Sequence, residues 1–331
     1  MKAISLFSGG LDSILSTRLI IEQGIEVEAV NFTSVFCAAS RGKNSSDAEA
    51  AADRLGIPLK AFSLDEEYFE VIKNPGHGYG KNVNPCLDCR IFMFSKAKKY
   101  MEETGASFIV TGEVLGSRPM SQRRDAIMLI ERESGLKGLI VRPLSARLFD
   151  PSIPEQKGWV DRGKLLAIAG RGRKMQIQLA EEFGINDYPP PAGGCLLTDK
   201  GFSRRMRDLM EHVPDFKMDD VELLKVGRHF RISPDARLAV GRNEQENDRL
   251  VELARSGDVI LQPTEEVSGP TGIARGSFSE KDLQFAASII ARYSDIDKSR
   301  EADVVIGSTS GDERTLSVLP AGEDSLEDIR I

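Results

Sequence analysis

The stretch SGGLDS, residues 8–13, lies near the start of this 331-residue sequence, between two segments with different hydrophobic patterns. The preceding residues 2–7, KAISLF, form a short apolar run that predicts a buried strand. The following residues 14–21, ILSTRLII, repeat apolar positions at helical spacing. Glycine lets a backbone approach a ligand closely, and the first turn of a helix offers unpaired N–H groups to a phosphate. The stretch therefore predicts a phosphate-binding loop; a plain turn with Asp12 or Ser13 as helix cap is the alternative.

A second strand is predicted at residues 27–32, VEAVNF, after the first helix ends near Gly24. A strand, a helix and another strand form a βαβ unit, so the sequence predicts a doubly wound parallel sheet of the α/β class. Ligands of such sheets bind beyond the carboxyl ends of the strands. Asn31 and Phe32 are therefore expected near the base of a nucleotide, and Asp12 near a magnesium ion on its phosphates. Core packing is the alternative for Phe32.

The composition is that of a globular protein, with 40% hydrophobic residues, 29% charged residues and a net charge of −7. No apolar run reaches membrane-spanning length, and the N-terminus enters a strand without room for a signal peptide, so we expect a cytoplasmic protein with no membrane partner. The negative charge argues weakly against nucleic acid, yet basic residues cluster at 162–164, 171–174 and 204–207. Such clusters are typical of a phosphate-backbone footprint, with a solvated surface as the alternative.

The sequence contains four cysteines, and a reducing compartment disfavours structural disulfides between them. Cys86 and Cys89 are spaced C-x-x-C at the predicted start of a helix, which suits one metal ion or a redox pair. Two cysteines cannot fill a tetrahedral site. Cys195 follows the stiff stretch YPPPAGG, residues 188–194, and is expected on an exposed turn as the third thiolate. Cys37 is predicted to be a buried cysteine outside this group.

The hydrophobic pattern changes along the chain and predicts three regions. Residues 1–215 are expected to form the nucleotide domain, with helices at 163–170 and 174–183 among its elements. Residues 216–295 predict a second, smaller α+β domain. Residues 296–331 contain nine acidic and four basic residues and are expected to form a disordered tail.

The SGGxDS stretch resembles the PP-loop of the ATP pyrophosphatase family, which has an adenine nucleotide alpha hydrolase-like fold and splits ATP between the α and β phosphates. Residues 85–90 (PCLDCR), 111–116 (TGEVLG) and 121–122 (SQ) further resemble the catalytic domain of tRNA 4-thiouridine synthetases, to which tRNA 2-thiouridylases are related. The resemblance covers roughly the first 200 residues. The region after residue 216 resembles, more weakly, a small RNA-binding module of ribosome-associated quality-control proteins.

The resemblance implies ATP-dependent thiolation of a tRNA uridine, in which ATP adenylates the uridine carbonyl oxygen and sulfur then displaces AMP. It implies 4-thiouridine as product, with ATP, Mg²⁺ and a [4Fe–4S] cluster as cofactors. The implied partners are tRNA and a sulfur donor, either sulfide or a persulfide carrier protein, and a homodimer is also considered. The alternatives are 2-thiouridine synthesis by cysteine persulfide chemistry, zinc with His77 as a fourth ligand, no metal, or a PP-loop amide or nitrile ligase.

Named residues acquire expected roles from the motifs and the resemblance together. The expected ATP-binding residues are Ser8, Gly9, Gly10, Leu11, Asp12, Ser13, Asn31, Phe32, Thr111 and Gly112. The expected catalytic residues are Asp12, Cys86, Cys89 and Cys195, of which the three cysteines are also the iron–sulfur ligands. The expected RNA-binding residues are Arg171, Arg173, Lys174, Arg204, Arg205, Arg228 and Arg242. Gln122 is expected to contact nucleotide or RNA.

Overall fold

The computed structural model describes residues 1–36, 44–64, 66–190, 194–308 and 311–331, which form two compact units. The first unit spans Met1–Thr198 and the second spans Asp199–Ile331. The division comes earlier than the predicted boundary at residue 215, because the helix at Lys200–His212 packs within the second unit. Asp208 of that helix binds Arg231 of the second unit through two hydrogen bonds.

The first unit alternates strands and helices, as the βαβ pattern predicts. Its elements in chain order are β1 (Lys2–Leu6), α1 (Leu11–Ile21), β2 (Glu26–Thr33), α2 (Asn44–Leu55), β3 (Leu59–Ser63), α3 (Glu67–Lys73), α4 (Cys86–Glu103), β4 (Phe108–Thr111), α5 (Arg124–Glu133), β5 (Ile140–Val141), α6 (Ile153–Gln156) and α7 (Lys174–Glu182). The strands pair in parallel in the order β3-β2-β1-β4-β5. The predicted doubly wound α/β fold is therefore confirmed.

The central strands are buried on both faces, because helices cover each side of the sheet. Ala3 of β1 packs with Ile20 of α1 on one face. The next residue, Ile4, packs on the other face with Phe94 of α4 and Ile130 of α5. Successive side chains of a strand point to opposite faces, so two layers of helices need a strand that is apolar at every position. The continuous apolar run at residues 2–7 reflects this requirement.

The helix predicted at residues 163–170 is wrong. Only Arg162–Lys164 form a helical turn, of the 3₁₀ type. The segment that follows runs extended instead, and the N–H groups of Leu166 and Ile168 donate to the carbonyl oxygens of Pro143 and Leu144 at 2.8 Å. These long-range hydrogen bonds satisfy the backbone without a helix, so tertiary contacts override the local periodicity.

The second unit is built on an antiparallel sheet. Its elements in chain order are α8 (Lys200–His212), α9 (Met218–Leu223), β6 (Arg228–Ser233), β7 (Ala236–Val240), α10 (Glu244–Leu253), β8 (Val259–Pro263), β9 (Gly272–Gly276), α11 (Glu280–Tyr293), β10 (Ala302–Ser308), β11 (Glu313–Val318) and α12 (Asp324–Glu327). The six strands follow the order β11-β10-β8-β9-β7-β6. The apolar side of α11 packs on one face of this sheet, which confirms the predicted α+β class.

The expectation of a disordered tail after residue 296 is wrong for the part of that segment that the structure describes. Strand β10 pairs with β8 and β11, and its Val304 and Ile306 are buried in the core. The chain end also joins the sheet, because the N–H of Arg231 donates to the carbonyl oxygen of Ile329 at 2.8 Å. Net charge averages over the segment and hides the alternation of apolar and polar residues that decides strand formation.

Among the helices of the described ranges, none combines the length and the hydrophobicity that are needed to span a membrane.

Candidate functional site

The SGGLDS loop connects β1 to α1 and is shaped by one close approach. Gly9 has a φ of +72°, and a Cβ atom at this position would lie 2.8 Å from the Cα of Ala48 in α2. Only glycine therefore fits without displacing α2. Helix α1 has Gly10 as its N-cap residue, and no side chain in the described chain makes a capping hydrogen bond there. The first N–H groups of the helix are thus available to an anion, which agrees with the predicted phosphate loop.

Two hydroxyl groups hold the loop in this shape. Ser13 Oγ donates to the carbonyl oxygen of Gly10 at 2.8 Å and lies 3.3 Å from Ser8 Oγ. The N–H of Gly10 donates weakly to Ser8 Oγ at 3.4 Å. Leu11 is buried in a hydrophobic cluster with Leu15 of α1 and Ala180 of α7. The loop is therefore fixed by its own polar groups on one side and by the core on the other.

Asp12 is the charged group of the loop, and its environment favours a cation. Its Oδ1 atom is buried and has no hydrogen-bond partner among the described residues. Burial raises the pKa of Asp12, while the charges of Arg173 and Arg118 and a hydrogen bond from Gln176 lower it in part. Carboxylate oxygens are the protein ligands that Mg²⁺ prefers, so this unsatisfied oxygen fits a magnesium ion held on phosphates. Sequence reasoning missed Arg118 and Gln176, because neither is close to Asp12 along the chain.

Gly112 supports the loop from the neighbouring strand. Thr111 ends β4 in register with Leu6 of β1, so the residues after both strands meet at the same sheet edge. A Cβ atom on Gly112 would lie 2.7 Å from the carbonyl carbon of Asp12 and from the nitrogen of Ser13. The two loops therefore pack backbone against backbone. This contact places Thr111 and Gly112 beside the predicted nucleotide site, where their binding role stays a prediction.

Asn31 and Phe32 differ in where their side chains lie. Asn31 is buried, and its Nδ2 donates to the carbonyl oxygen of Phe7 at 2.8 Å, one residue before the loop. Asn31 Oδ1 has no partner within the described part of the chain. The ring of Phe32 stacks on Phe62 at 5.6 Å and joins the core beside α4. Asn31 thus reaches the base of the loop and Phe32 packs in the core, and a contact of either residue with a nucleotide stays a prediction.

The cysteines come from two segments that touch. Cys86 is the first residue of α4 and Cys89 follows one turn later, and both are half-buried. Cys195 is also half-buried, and its carbonyl oxygen accepts a hydrogen bond from Thr198 Oγ1 at 2.6 Å. The carbonyl oxygen of Thr198 in turn accepts from Asn82 Nδ2 at 2.8 Å. The turn that carries Cys195 is therefore bound to the loop that leads into Cys86.

The described residues do not form a metal site at these thiols. Three thiolates would suit an iron–sulfur cluster chemically. However, no group of three or more His, Cys, Asp or Glu side chains in the described ranges is arranged to hold a metal ion. His77, the candidate fourth zinc ligand, binds Asp88 Oδ1 through Nδ1 at 2.9 Å instead. The thiols as placed here therefore do not form a site for a single metal ion such as zinc. A [4Fe–4S] cluster on them stays a prediction, and Cys37 lies outside the described residues.

Arg118 connects the phosphate loop to the cysteine segment. Its charge interacts favourably with Cys86, Glu113 and Asp12. Its pKa is nevertheless lowered, first because the guanidinium is desolvated and second because Arg90 carries the same charge. A cation thus lies within electrostatic range of both Asp12 and Cys86. Such a group would attract a polyanion to the space between the two.

A buried ion network fixes the position of Arg90 next to Cys89. Glu113 lies 3.2 Å from Arg90 and 3.1 Å from Arg142, and Arg142 lies 2.9 Å from Glu131. Glu113, Arg142 and Glu131 are each less than a tenth exposed. A buried charge needs a partner, so removing one of these groups leaves the others uncompensated. In the sequence, the only indication of this network is that Glu113 and Arg142 each follow closely after an apolar strand.

The predicted RNA-binding residues of the first unit lie on the loop before α7 and at the first residue of that helix. Arg171 and Lys174 are exposed, and Arg173 is half-buried. The N–H of Gly170 donates to the carbonyl oxygen of Leu115 at 2.7 Å, which ties this loop to the segment that follows β4. The positive charge of Arg173 lowers the pKa of Asp12, so the two side chains lie within electrostatic range of each other. Arg173 thus faces the phosphate loop, while an RNA contact by Arg171 and Lys174 stays a prediction.

The predicted RNA-binding residues of the second unit differ in how far their charge is compensated. Arg204 is exposed. Arg205 donates to the carbonyl oxygen of Gly227 at 3.4 Å, and desolvation lowers its pKa. Arg228 lies 4.6 Å above the ring of Tyr293. Arg242 is held by Glu246 at 3.0 Å.

Two family models match this chain, one in each unit. Residues 1–147 match the model described as thiamine biosynthesis protein (ThiI), and residues 227–330 match the model described as NFACT protein RNA binding domain. Each match falls where the sequence resembled a PP-loop thiouridine synthetase domain and a small RNA-binding module. Residues 1–147 are therefore similar to the ThiI family and residues 227–330 to the NFACT RNA-binding domain, which confirms both resemblances.

Curated relatives match the chain over part of its length. A tRNA-specific 2-thiouridylase MnmA of Marinomonas sp. (strain MWYL1) is 25% identical over 69% of this chain and 58% of that protein. The MnmA of Sulfurimonas denitrificans is 32% identical over 34% of this chain and 35% of that protein. Among solved structures, a 4-thiouridine synthetase–RNA complex with bound ATP aligns with a TM-score of 0.43 and 22% sequence identity. The alignment covers 68% of this chain and 52% of the synthetase chain. The chain spans less than two thirds of the length of these proteins.

Proposed function

We propose that this chain catalyses ATP-dependent thiolation of a tRNA uridine in the cytoplasm, because residues 1–147 match the ThiI model and residues 227–330 match the NFACT RNA-binding model. The observation that carries the proposal is the position of Arg118, whose charge interacts with both Asp12 and Cys86. A phosphate loop and a nucleophilic sulfur beside one cation are what adenylation followed by sulfur transfer requires. The partly matching relatives named as tRNA-specific 2-thiouridylases support the same class of reaction.

The first step uses the phosphate loop. The N–H groups at the start of α1 and the Ser13 hydroxyl would bind the triphosphate, and Arg118 and Arg173 would neutralise its charge. Asp12 Oδ1 would hold a magnesium ion, which supplies charge stabilisation for the departing pyrophosphate. The uridine carbonyl oxygen attacks the α phosphate, pyrophosphate leaves, and the oxygen becomes an adenylate ester. Sulfur can then displace it, because AMP is a far better leaving group than oxide.

The second step uses the cysteines as carriers of sulfur. We propose that a donor loads sulfane sulfur onto one of Cys86, Cys89 and Cys195, giving a persulfide. Its terminal sulfur attacks the activated carbon and AMP leaves. A second cysteine thiolate then attacks the remaining S–S bond, which releases the thiolated base and leaves a disulfide that an external thiol reduces. The contact between the Cys195 turn and the loop before α4 supports the pairing of these segments.

The position of the sulfur in the base is a choice between two candidates. We propose C4, and thus 4-thiouridine, from the ThiI match and from the PCLDCR and TGEVLG motifs that resemble 4-thiouridine synthetases. The identity to tRNA-specific 2-thiouridylases favours 2-thiouridine as the second candidate. A cluster bound by the three cysteines stays a prediction from the sequence, and no step here depends on it.

Nucleoside mass spectrometry after incubation with tRNA, ATP, Mg²⁺ and a persulfide donor tests the proposal. We expect 4-thiouridine in the RNA and one pyrophosphate per sulfur. Cys86→Ser and Cys195→Ser should stop thiolation while pyrophosphate release continues, and Asp12→Asn should stop both. Cys37→Ser, outside the expected group, is the matched control and should retain activity.

Three results would change the conclusion. Pyrophosphate release without sulfur in the RNA would indicate the amide or nitrile ligase reaction instead. Formation of 2-thiouridine would assign the second candidate. Iron that copurifies anaerobically and is lost in a Cys86, Cys89 and Cys195 triple serine variant would replace the persulfide step with cluster chemistry.

A further inference from the structure

Three arginines occupy directly opposite positions on neighbouring strands of the second unit. Arg237 of β7 pairs in register with Arg231 of β6 on one side and with Arg275 of β9 on the other. Side chains at opposite positions point to the same face, with Cβ atoms about 5 Å apart. Like charges at this spacing destabilise a sheet. The row is therefore stable only if anions compensate its charge.

The two outer arginines have their anions within the protein. Arg231 binds Asp208 through two hydrogen bonds, one of 3.0 Å from Nε. Arg275 binds Asp258 at 2.7 Å and Asp220 at 3.1 Å. Both ends of the row are thus neutralised by carboxylates.

The central arginine makes no ion pair at contact distance with a carboxylate among the described residues, and Asp220 and Asp208, which its neighbours hold, act on its charge only from farther away. Arg237 is only 3% exposed, and its Nη1 is buried without a hydrogen-bond partner. Burial lowers the pKa of Arg237 to about 10, so the guanidinium remains charged at neutral pH. Burying a charge without an ion pair is costly, so an anion that enters from outside would stabilise the charged guanidinium.

A cavity of about 230 Å³ opens beside this row. All three arginines of the row line it, together with Arg255 and Ser277. A water molecule occupies about 30 Å³ in the liquid, so the cavity accepts a group several times larger. The carboxylates that also line it are Asp220, which Arg255 and Arg275 already hold at 3.2 Å and 3.1 Å, and Asp235, which is exposed.

We propose that this cavity binds one phosphate group of an RNA strand, with Arg237 as its counter-ion. The guanidinium fork matches phosphate geometry, and the Ser277 hydroxyl adds a further donor at the rim. The site lies within the segment that matches the NFACT RNA-binding domain. The assignment of this phosphate group to an RNA strand therefore rests on the proposed function. The prediction that the cavity binds a phosphate group at all rests on the row of arginines alone.

Thermal unfolding of the full chain in inorganic phosphate tests the chemistry without RNA. At constant ionic strength, phosphate should raise the melting temperature of the native chain by about 3 °C. Arg237→Gln should lose this shift. Arg314→Gln is the matched control, because Arg314 lies on β11 of the same sheet, outside the cavity, paired with Glu280 at 2.7 Å. The phosphate loop is also expected to bind phosphate, so only the part of the shift that Arg237→Gln loses and Arg314→Gln keeps is assigned to the cavity.

Fluorescence anisotropy with labelled tRNA tests the source of the phosphate. Arg237→Gln should weaken binding about tenfold and reduce the slope of log affinity against log salt by about 1. Arg237→Lys, which keeps the charge, should recover part of the affinity. A short RNA with a 5′-phosphate that binds more tightly than its 5′-hydroxyl form indicates a terminal phosphate, and equal binding indicates an internal one.

The outcomes separate this inference from the proposed function. If Arg237→Gln responds to phosphate and to tRNA as Arg314→Gln does, the phosphate site is overturned while tRNA thiolation stands. If the native chain shows the phosphate shift but binds no tRNA, the site stands as a phosphate site and the assignment to RNA is overturned. Circular dichroism of Arg237→Gln confirms that lost binding is not lost folding.

Discussion

Replacing Gly112 by alanine would disturb the phosphate loop through a single added carbon. The new Cβ would lie 2.7 Å from the carbonyl carbon of Asp12 and the nitrogen of Ser13, and 2.8 Å from the carbonyl oxygen of Asp12. All three neighbours are backbone atoms, so no side-chain rotation relieves the overlap. Gly112 is not among the left-handed glycines of the described chain, so the change tests the contact and not the backbone conformation.

The size of the effect follows from the overlap. Ordinary contact of a Cβ atom begins at 3.4 Å, so the loop or β4 must move by about 0.7 Å. Overpacking of this kind costs about 1–3 kcal/mol of stability, which the first unit can bear while remaining folded. Catalytic geometry is less tolerant, because a misplacement of about 1 Å costs about a hundredfold in rate. We therefore expect a folded protein with about one hundredth of the native rate of ATP cleavage.

The assay is tRNA-dependent release of pyrophosphate, with urea unfolding measured on the same preparations. Gly172→Ala is the matched control, because a Cβ atom at Gly172 meets nothing described within 4 Å. Gly172→Ala should keep both the native rate and the native stability. Native pyrophosphate release by Gly112→Ala would refute the reasoning, since the loop would then tolerate a shift that the structure requires.

Three further substitutions test the electrostatics and the nucleotide pose. Asp12→Asn should abolish pyrophosphate release yet raise the melting temperature at pH 7, by about 2–4 °C for each kcal/mol of relieved desolvation. Because burial raises the pKa of Asp12, this gain in stability should vanish below about pH 4, where the carboxyl is protonated in both the folded and the unfolded state. An unchanged melting temperature at pH 7 would contradict the prediction. Glu113→Ala should lower the free energy of unfolding, measured in urea, by about 3 kcal/mol or more, because it leaves buried arginines without their partner. The control Glu102→Ala removes an exposed pair with Lys98 and should cost less than about 1 kcal/mol. Equal losses in the two variants would show that the buried network is not cooperative. Phe32→Leu should leave the KM for ATP unchanged and cost about 1 kcal/mol of packing, and a raised KM would restore Phe32 to the adenine site.

The phosphate loop and the parallel sheet could be predicted from the sequence because both are local in origin. Residues 2–21 contain an apolar strand, two glycines and a helical repeat in order, and each signal acts within a few residues. The C-x-x-C pair at the start of α4 was visible for the same reason. Two local predictions failed where distant partners compete: backbone hydrogen bonds to Pro143 and Leu144 prevent a helix near residue 166, and pairing with β8 orders the acidic C-terminal segment.

The sequence by itself determined which groups are available: a glycine-rich turn before a helix, a carboxylate within it, paired thiols and an excess of arginines on the later strands. Only the tertiary structure decided which groups meet. Gly112 touches Asp12 because β1 and β4 lie side by side, and Arg237 makes no contact ion pair among the described residues because its neighbours in the sheet hold the nearby carboxylates. The physical reason is that strand pairing sets the distance between charges far apart in the chain, and electrostatic energy depends on that distance and on burial.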